Sequence, residues 1–179
     1  METFLIGHAV VLKNYFPKKN KVTILHEQFG KINLFIHEKH PAARLCNGSL
    51  IYCDVVKKKS LYECDFIDAY FIPFHDDSQD LYFVHDVLKI CLQYLPFQLP
   101  LSDVFNLVID IYKNLHGLQP CQKKILLLKL FLFIGIFPEN KELYYCVMQD
   151  NQLHSHDNDE LLQQGLRYCW NSDVITFDT

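Results

Sequence analysis

Glycine is scarce in this chain, six residues in 179. Phosphate-cradling loops need several glycines close together so that backbone can approach the anion, and no such cluster occurs. No C-x-x-C pair occurs either, although there are seven cysteines, at 46, 53, 64, 91, 121, 146 and 169. Structural zinc takes its ligands at short recurring spacings. The nearest set here, Cys146, His154, His156 and Cys169, has gaps of eight and thirteen residues, so no metal is expected. The longest apolar run, Ile125 to Phe137, covers thirteen residues and is broken by Lys129. A bilayer span needs about 20, so this reads as a buried helix and no membrane contact is expected. The opening Met1–Ile6 has neither a basic n-region nor room for an h-region. With an odd cysteine count, reduced thiols and a cytoplasmic location are expected.

Catalytic signatures are missing too. There is no nucleophile elbow and no H-E-x-x-H helix. His26-Glu27 and His85-Asp86 are adjacent pairs, and neighbours on a strand point to opposite faces. Asp103 and Asp110 share a helix face, but no nucleophile joins them. The expectation is a non-enzyme without catalytic residues or cofactor.

What the chain does have is apolar residues and an uneven charge. Half of it is hydrophobic and 21% is charged, which supports a packed core in one large or two small domains. Residues 1–64 carry ten Lys or Arg against five Asp or Glu, whereas residues 65–179 carry seven against sixteen. A polyanion contact therefore belongs in the N-terminal part.

Periodicity divides the chain at the same place. Strand-like runs cover Phe4–Tyr15, Lys21–His26, Lys31–His37, Ser49–Val56 and Ser60–Ile67. Val22, Ile24, Ile32, Leu34 and Ile36 alternate with polar residues. Phe16–Asn20, the break at Phe29-Gly30, Asn47-Gly48 and Lys57–Ser60 supply the turns. A tight meander of five short strands builds a small barrel, a form that often binds nucleic acid. After Pro73 the period becomes helical: Leu81 to Leu95, a helix capped by Ser102 or Asp103, Cys121 to Ile136, and a short last helix from Asp157 to Tyr168. The third is apolar almost all round and belongs at the centre of a bundle. The class is α+β, with a barrel over 1–72 and a helical domain over 78–179 that includes a polar C-terminal tail.

Four segments carry a resemblance: Ala9-Val-Val-Leu12; Val22-Thr-Ile-Leu-His-Glu-Gln-Phe-Gly-Lys31; Ser60-Leu-Tyr-Glu-Cys64; and Lys129-Leu-Phe-Leu-Phe-Ile-Gly-Ile-Phe-Pro138. Their order resembles the RecO family of recombination mediators, up to about residue 145. The resemblance implies an N-terminal five-stranded OB-type barrel followed by helices. It also implies a non-enzymatic role in recombinational DNA repair: binding single- and double-stranded DNA, annealing strands, and loading recombinase with a RecR-like partner and single-strand-binding protein. The chain departs from the family in being shorter. Its loop Glu38–Arg44 carries few charges, and Cys146 and Cys169 replace the paired cysteines that many members have.

On such a barrel the loops and one face form the nucleic-acid groove. The candidate DNA-binding residues are Lys13, Lys18, Lys19, Lys21, Lys31, Lys39, Arg44, Lys57, Lys58 and Lys59. Tyr15, Phe16, Phe29, Phe35 and Tyr52 are available to stack on bases. Lysines on strand turns also keep edges soluble, so a second reading stays open: a protein-interaction adaptor with little DNA binding, anchored by aromatics such as Tyr144, Tyr145 and Trp170.

Overall fold

The structure is a computed structural model and describes residues 3–36, 44–58, 61–64, 67–71, 78–149 and 156–172. Its first part is a closed barrel of five strands: β1 (Thr3–Asn14), β2 (Lys21–His26), β3 (Gly30–Phe35), β4 (Leu50–Lys58) and β5 (Leu61–Glu63). The order around the barrel is β1-β2-β3-β5-β4, and the β1–β4 pairing closes it. A sixth strand, β6 (Ile67–Phe71), adds to β4. Where one fifth strand was expected over 60–67, β5 covers only Leu61–Glu63 and β6 begins at Ile67; both pair along the edge of β4 opposite β1, β5 at Val56–Lys58 and β6 at Leu50–Cys53.

Closure falls to β1. Its first part pairs with β4 from Thr3↔Lys57 to Val10↔Leu50, and its second part pairs with β2 from Ala9↔His26 to Asn14↔Val22. The register slips between Val11 and Lys13, a bulge that bends the strand from one neighbour to the next. Ala9, Val11, Val22, Ile24, Ile32, Leu34, Ile51, Cys53, Val55 and Tyr62 form the barrel's buried core. The inward set on β2 and β3 is the one that the alternation singles out. Gly30 starts β3 with φ +67, and a Cβ there would run into the Leu99 carbonyl. Glycine meets both conditions.

His26 shares the inward side of β2 with Val22 and Ile24. It is fully buried, and its ring lies 5.2 Å from Phe29, which in turn lies 5.3 Å from Tyr62. Its Nδ1 accepts the Gln28 backbone N–H at 3.1 Å, while Nε2 is buried with no hydrogen-bond partner among the described residues. Burial pushes the imidazole pKa down to about 4; Glu27 opposes the shift and His8 adds to it.

Five helices follow among the described residues: α1 (Ser78–Tyr94), α2 (Ser102–Lys113), α3 (Pro120–Ile134), α4 (Lys141–Met148) and α5 (His156–Asn171). The change from strand to helix falls where the periodicity changes. By contacts the compact units are 1–105 and 106–179, so α1 goes with the barrel.

The second unit is built on α3. Gln119 and Gln122 form a capping box at its start, Pro120 opens it, and Gly135 closes it at φ 88. Ile125, Leu127, Leu128, Leu130 and Phe131 are buried. Although α3 is apolar almost all round, its Phe133 is 36% exposed. Asn140 caps α4 by accepting the Leu143 N–H at 3.0 Å. On α5, Gly165 lets the helices approach closely, since a Cβ there would sit 2.6 Å from Leu143 Cδ2. Trp170 meets Phe131 edge-on at 5.3 Å.

Two stability measurements check this packing. Leu130→Ala should cost roughly 2–5 kcal/mol in chemical denaturation, and Phe133→Ala clearly less; equal costs would contradict a buried Leu130 face. The His26 prediction concerns pH. An unfolded histidine takes its proton near 6.5, before the folded one does. The contribution is therefore full above pH 6.5 and is lost as pH falls toward 4, by up to about 3 kcal/mol. His26→Leu should flatten that part of the stability–pH curve, and an unchanged curve would contradict the neutral, buried imidazole.

Candidate nucleic-acid interface

The β1–β2 turn gathers cations around one ring. Lys13 Nζ lies 5.1 Å and Lys21 Nζ 4.6 Å from the centroid of Tyr15. Lys18 and Lys19 are exposed in the same turn. Asn14 braces this end of the barrel. Its backbone N–H donates to Asn47 Oδ1 at 2.8 Å, its Nδ2 donates to the Leu45 carbonyl at 2.9 Å, and its Oδ1 accepts the Phe16 N–H at 2.9 Å. The segment that follows exposed Arg44 is thereby held against the end of β1. Lys13 and Asn47 also line a groove of about 490 Å3 floored by Leu12, Leu81, Val84 and Leu88.

A row runs outward from this cluster across three strands: Lys21 pairs with Phe35, and Phe35 with Glu63. Phe35 is 53% exposed, so a flat hydrophobic ring stands beside the lysines on the β2–β3 face. Beyond it lie the end of β4 and the start of β5. Lys57 Nζ sits 5.4 Å from the Tyr62 ring centroid, and Lys58 pairs with Glu63 at 2.7 Å. The β2–β3 face and the turns after β1 and β4 are the parts of an OB barrel that contact oligonucleotides.

Lys31 is elsewhere. The strand alternation put it with the polar residues, but it is only 4% exposed. Its Nζ donates to the Leu92 carbonyl in the last turn of α1 at 2.9 Å and lies 4.4 Å from the Phe97 ring centroid. Burial lowers its pKa, with Cys91 opposing. The backbone is tied too, since Gln98 N–H donates to the Lys31 carbonyl at 2.9 Å. This ammonium neutralises a helix C-terminus and is not presented to a phosphate. Lys39 and Lys59 lie outside the described residues.

The aromatic candidates also separate. Tyr15 and Phe35 join the lysines. Phe16 and Phe29 pack against the barrel core. Tyr52 lies with His8, ring centroids 5.1 Å apart, on the β1–β4 face. His8 and Tyr70 belong to that second patch and have no sequence motif; only their outward phase on β1 and β6 marks them.

Other candidates are placed as follows. Cys146 and Cys169 are buried, and the Cys169 thiol lies 3.5 Å from the Ile136 carbonyl, with burial raising its pKa to about 11. His154 lies outside the described residues. Among the described residues no helix is long and apolar enough to cross a membrane. In comparisons with known proteins, no family model and no curated protein matches the chain.

Amine acetylation followed by peptide mass spectrometry reads this arrangement directly. Lys18 and Lys19 should react first, and Lys31 only when the protein unfolds. Early modification of Lys31 in folded protein would contradict its burial.

Proposed function

We propose that this chain is a non-enzymatic DNA-binding protein of the RecO kind, acting in recombinational repair in the cytoplasm. It binds single- and double-stranded DNA on its barrel, anneals strands, and works with a RecR-like partner and single-strand-binding protein to load recombinase. The observation that carries the reading is the gathering of Lys13 and Lys21 around Tyr15, with exposed Lys18 and Lys19 in the same turn and exposed Phe35 beside Lys21. Lysines are point charges suited to phosphates, and the two rings offer stacking surfaces to any base. Binding is then dominated by phosphate neutralisation and nearly blind to sequence. The four segments similar to RecO proteins support the same reading.

A second reading is a protein-contact module on the same scaffold. The exposed aromatic patch of His8, Tyr52 and Tyr70 favours it.

Fluorescence anisotropy with a labelled oligo-dT, at several salt concentrations, tests the proposal. Log K should fall with log salt by about 0.7 per phosphate neutralised. Changing Lys13, Lys18, Lys19 and Lys21 together to Ala should flatten the slope most. Changing Lys57, Lys58 and Lys59 should flatten it less, because Lys58 is engaged by Glu63. Lys31→Ala, and Lys123→Ala with Lys124→Ala, should leave the slope unchanged. Absence of binding at low salt, or equal effects from all these sets, would reject the DNA reading and leave the contact module.

A further inference from the structure

The β1–β4–β6 face differs in chemistry from the lysine-bearing side. Ile6 and His8 point outward on β1, Tyr52 on β4 and Tyr70 on β6. The His8 ring centroid lies 5.1 Å from that of Tyr52 and 5.9 Å from that of Tyr70. Ile6 is 58% exposed, Tyr52 40% and Tyr70 53%. Large apolar side chains grouped in the open mark an interaction surface more often than isolated ones do.

Among the described residues, the charged groups next to these outward positions are carboxylates. Glu27 Oε2 lies 3.5 Å from His8 Nδ1. Asp68 stands directly opposite Tyr52, and Asp54 directly opposite Ile6. Glu27 and Asp68 border the rings, while Asp54, beside Ile6, accepts the Cys64 thiol at 3.7 Å, and among the described residues no lysine or arginine is paired across strands with these outward positions. A polyanion would be repelled here. A cation is favoured twice, by the ring faces and by the carboxylates. Arginine suits both, because its planar guanidinium stacks on tyrosine and forks onto a carboxylate, whereas a lysine ammonium does neither as well.

We propose that this aromatic, carboxylate-bordered face of the barrel docks an arginine-bearing segment of a partner protein. The inference stands apart from the DNA reading, since it uses another face and the opposite charge. One barrel then holds a polyanion on the β2–β3 side and a cationic polypeptide on the β1–β4–β6 side, without competition for the same residues.

The test uses the full chain and labelled hexa-arginine and hexa-lysine peptides as probes, read by anisotropy. Hexa-arginine should bind, and more tightly than hexa-lysine. Tyr52→Thr with Tyr70→Thr should weaken it about five- to thirtyfold, the loss of two exposed cation–π contacts. Tyr52→Phe with Tyr70→Phe should retain binding. Should the threonine variant fail to fold, the native chain gives the readout by NMR, where hexa-arginine should shift the ring resonances of Tyr52 and Tyr70. The proposal is overturned by absent binding, by an affinity indifferent to the rings, or by unmoved ring resonances. It is also overturned if the threonine pair weakens oligo-dT binding as strongly, which would make the face a nucleic-acid surface. Loss of a self-associated state in the threonine variant would overturn it too, by assigning the face to a second copy.

Discussion

The double pairing of β1 is the constraint on which this barrel depends. A single strand must hydrogen-bond to β4 over its first part and to β2 over its second, and the slip between Val11 and Lys13 makes the bend possible. Turn contacts converge on the same point. Val11 N–H donates to the Ser49 carbonyl at 2.9 Å, and Gly48 N–H to the Val11 carbonyl at 2.6 Å. Each outward residue of β1 then has a fixed place. Ile6 and His8 stand on the aromatic face, Leu12 floors the groove beside α1, and Asn14 braces the loop next to the lysine turn. A register error of one residue would turn all of these inward.

Electrostatics then sorts the barrel's surface. Cations gather on the β1–β2 turn, carboxylates around the β1–β4–β6 rings, and one lysine is taken inside. Burying the Lys31 ammonium carries a desolvation cost. A carbonyl at the C-terminal end of α1 and the face of Phe97 offset it. The arrangement joins β3 to α1 through a side chain, and the Gln98–Lys31 backbone bond reinforces the link. Lys31 thus contributes to the unit's cohesion, whereas Lys18 and Lys19 stay exposed in the β1–β2 turn.

Much of the fold was legible because it rests on periodicity. Val22, Ile24, Ile32, Leu34 and Ile36 alternate, and the same residues line the core. The apolar α3 is the helix whose Ile125, Leu128, Leu130 and Phe131 are buried. Contacts distant in sequence were not legible. Lys31 has the alternation of a solvent-facing residue, and nothing local shows that Leu92 and Phe97, more than sixty residues on, cover it. The division of 60–67 between β5 and β6 depends on which stretch of β4 each pairs with. The Tyr15 cluster was half legible: its residue types were evident, whereas the exclusion of Lys31 and the separation of Tyr52 from Phe35 required the register.

The central claim is that the barrel presents its polyanion surface at the β1–β2 turn and the β2–β3 face. Chemical-shift mapping of the isotopically labelled chain with an unlabelled oligo-dT tests it most directly. The account predicts that shifts concentrate at Lys13, Tyr15, Lys18, Lys19, Lys21 and Phe35 and leave Ile6, His8, Tyr52 and Tyr70 in place. Shifts concentrated on the second group, or none on the first at low salt, would contradict it.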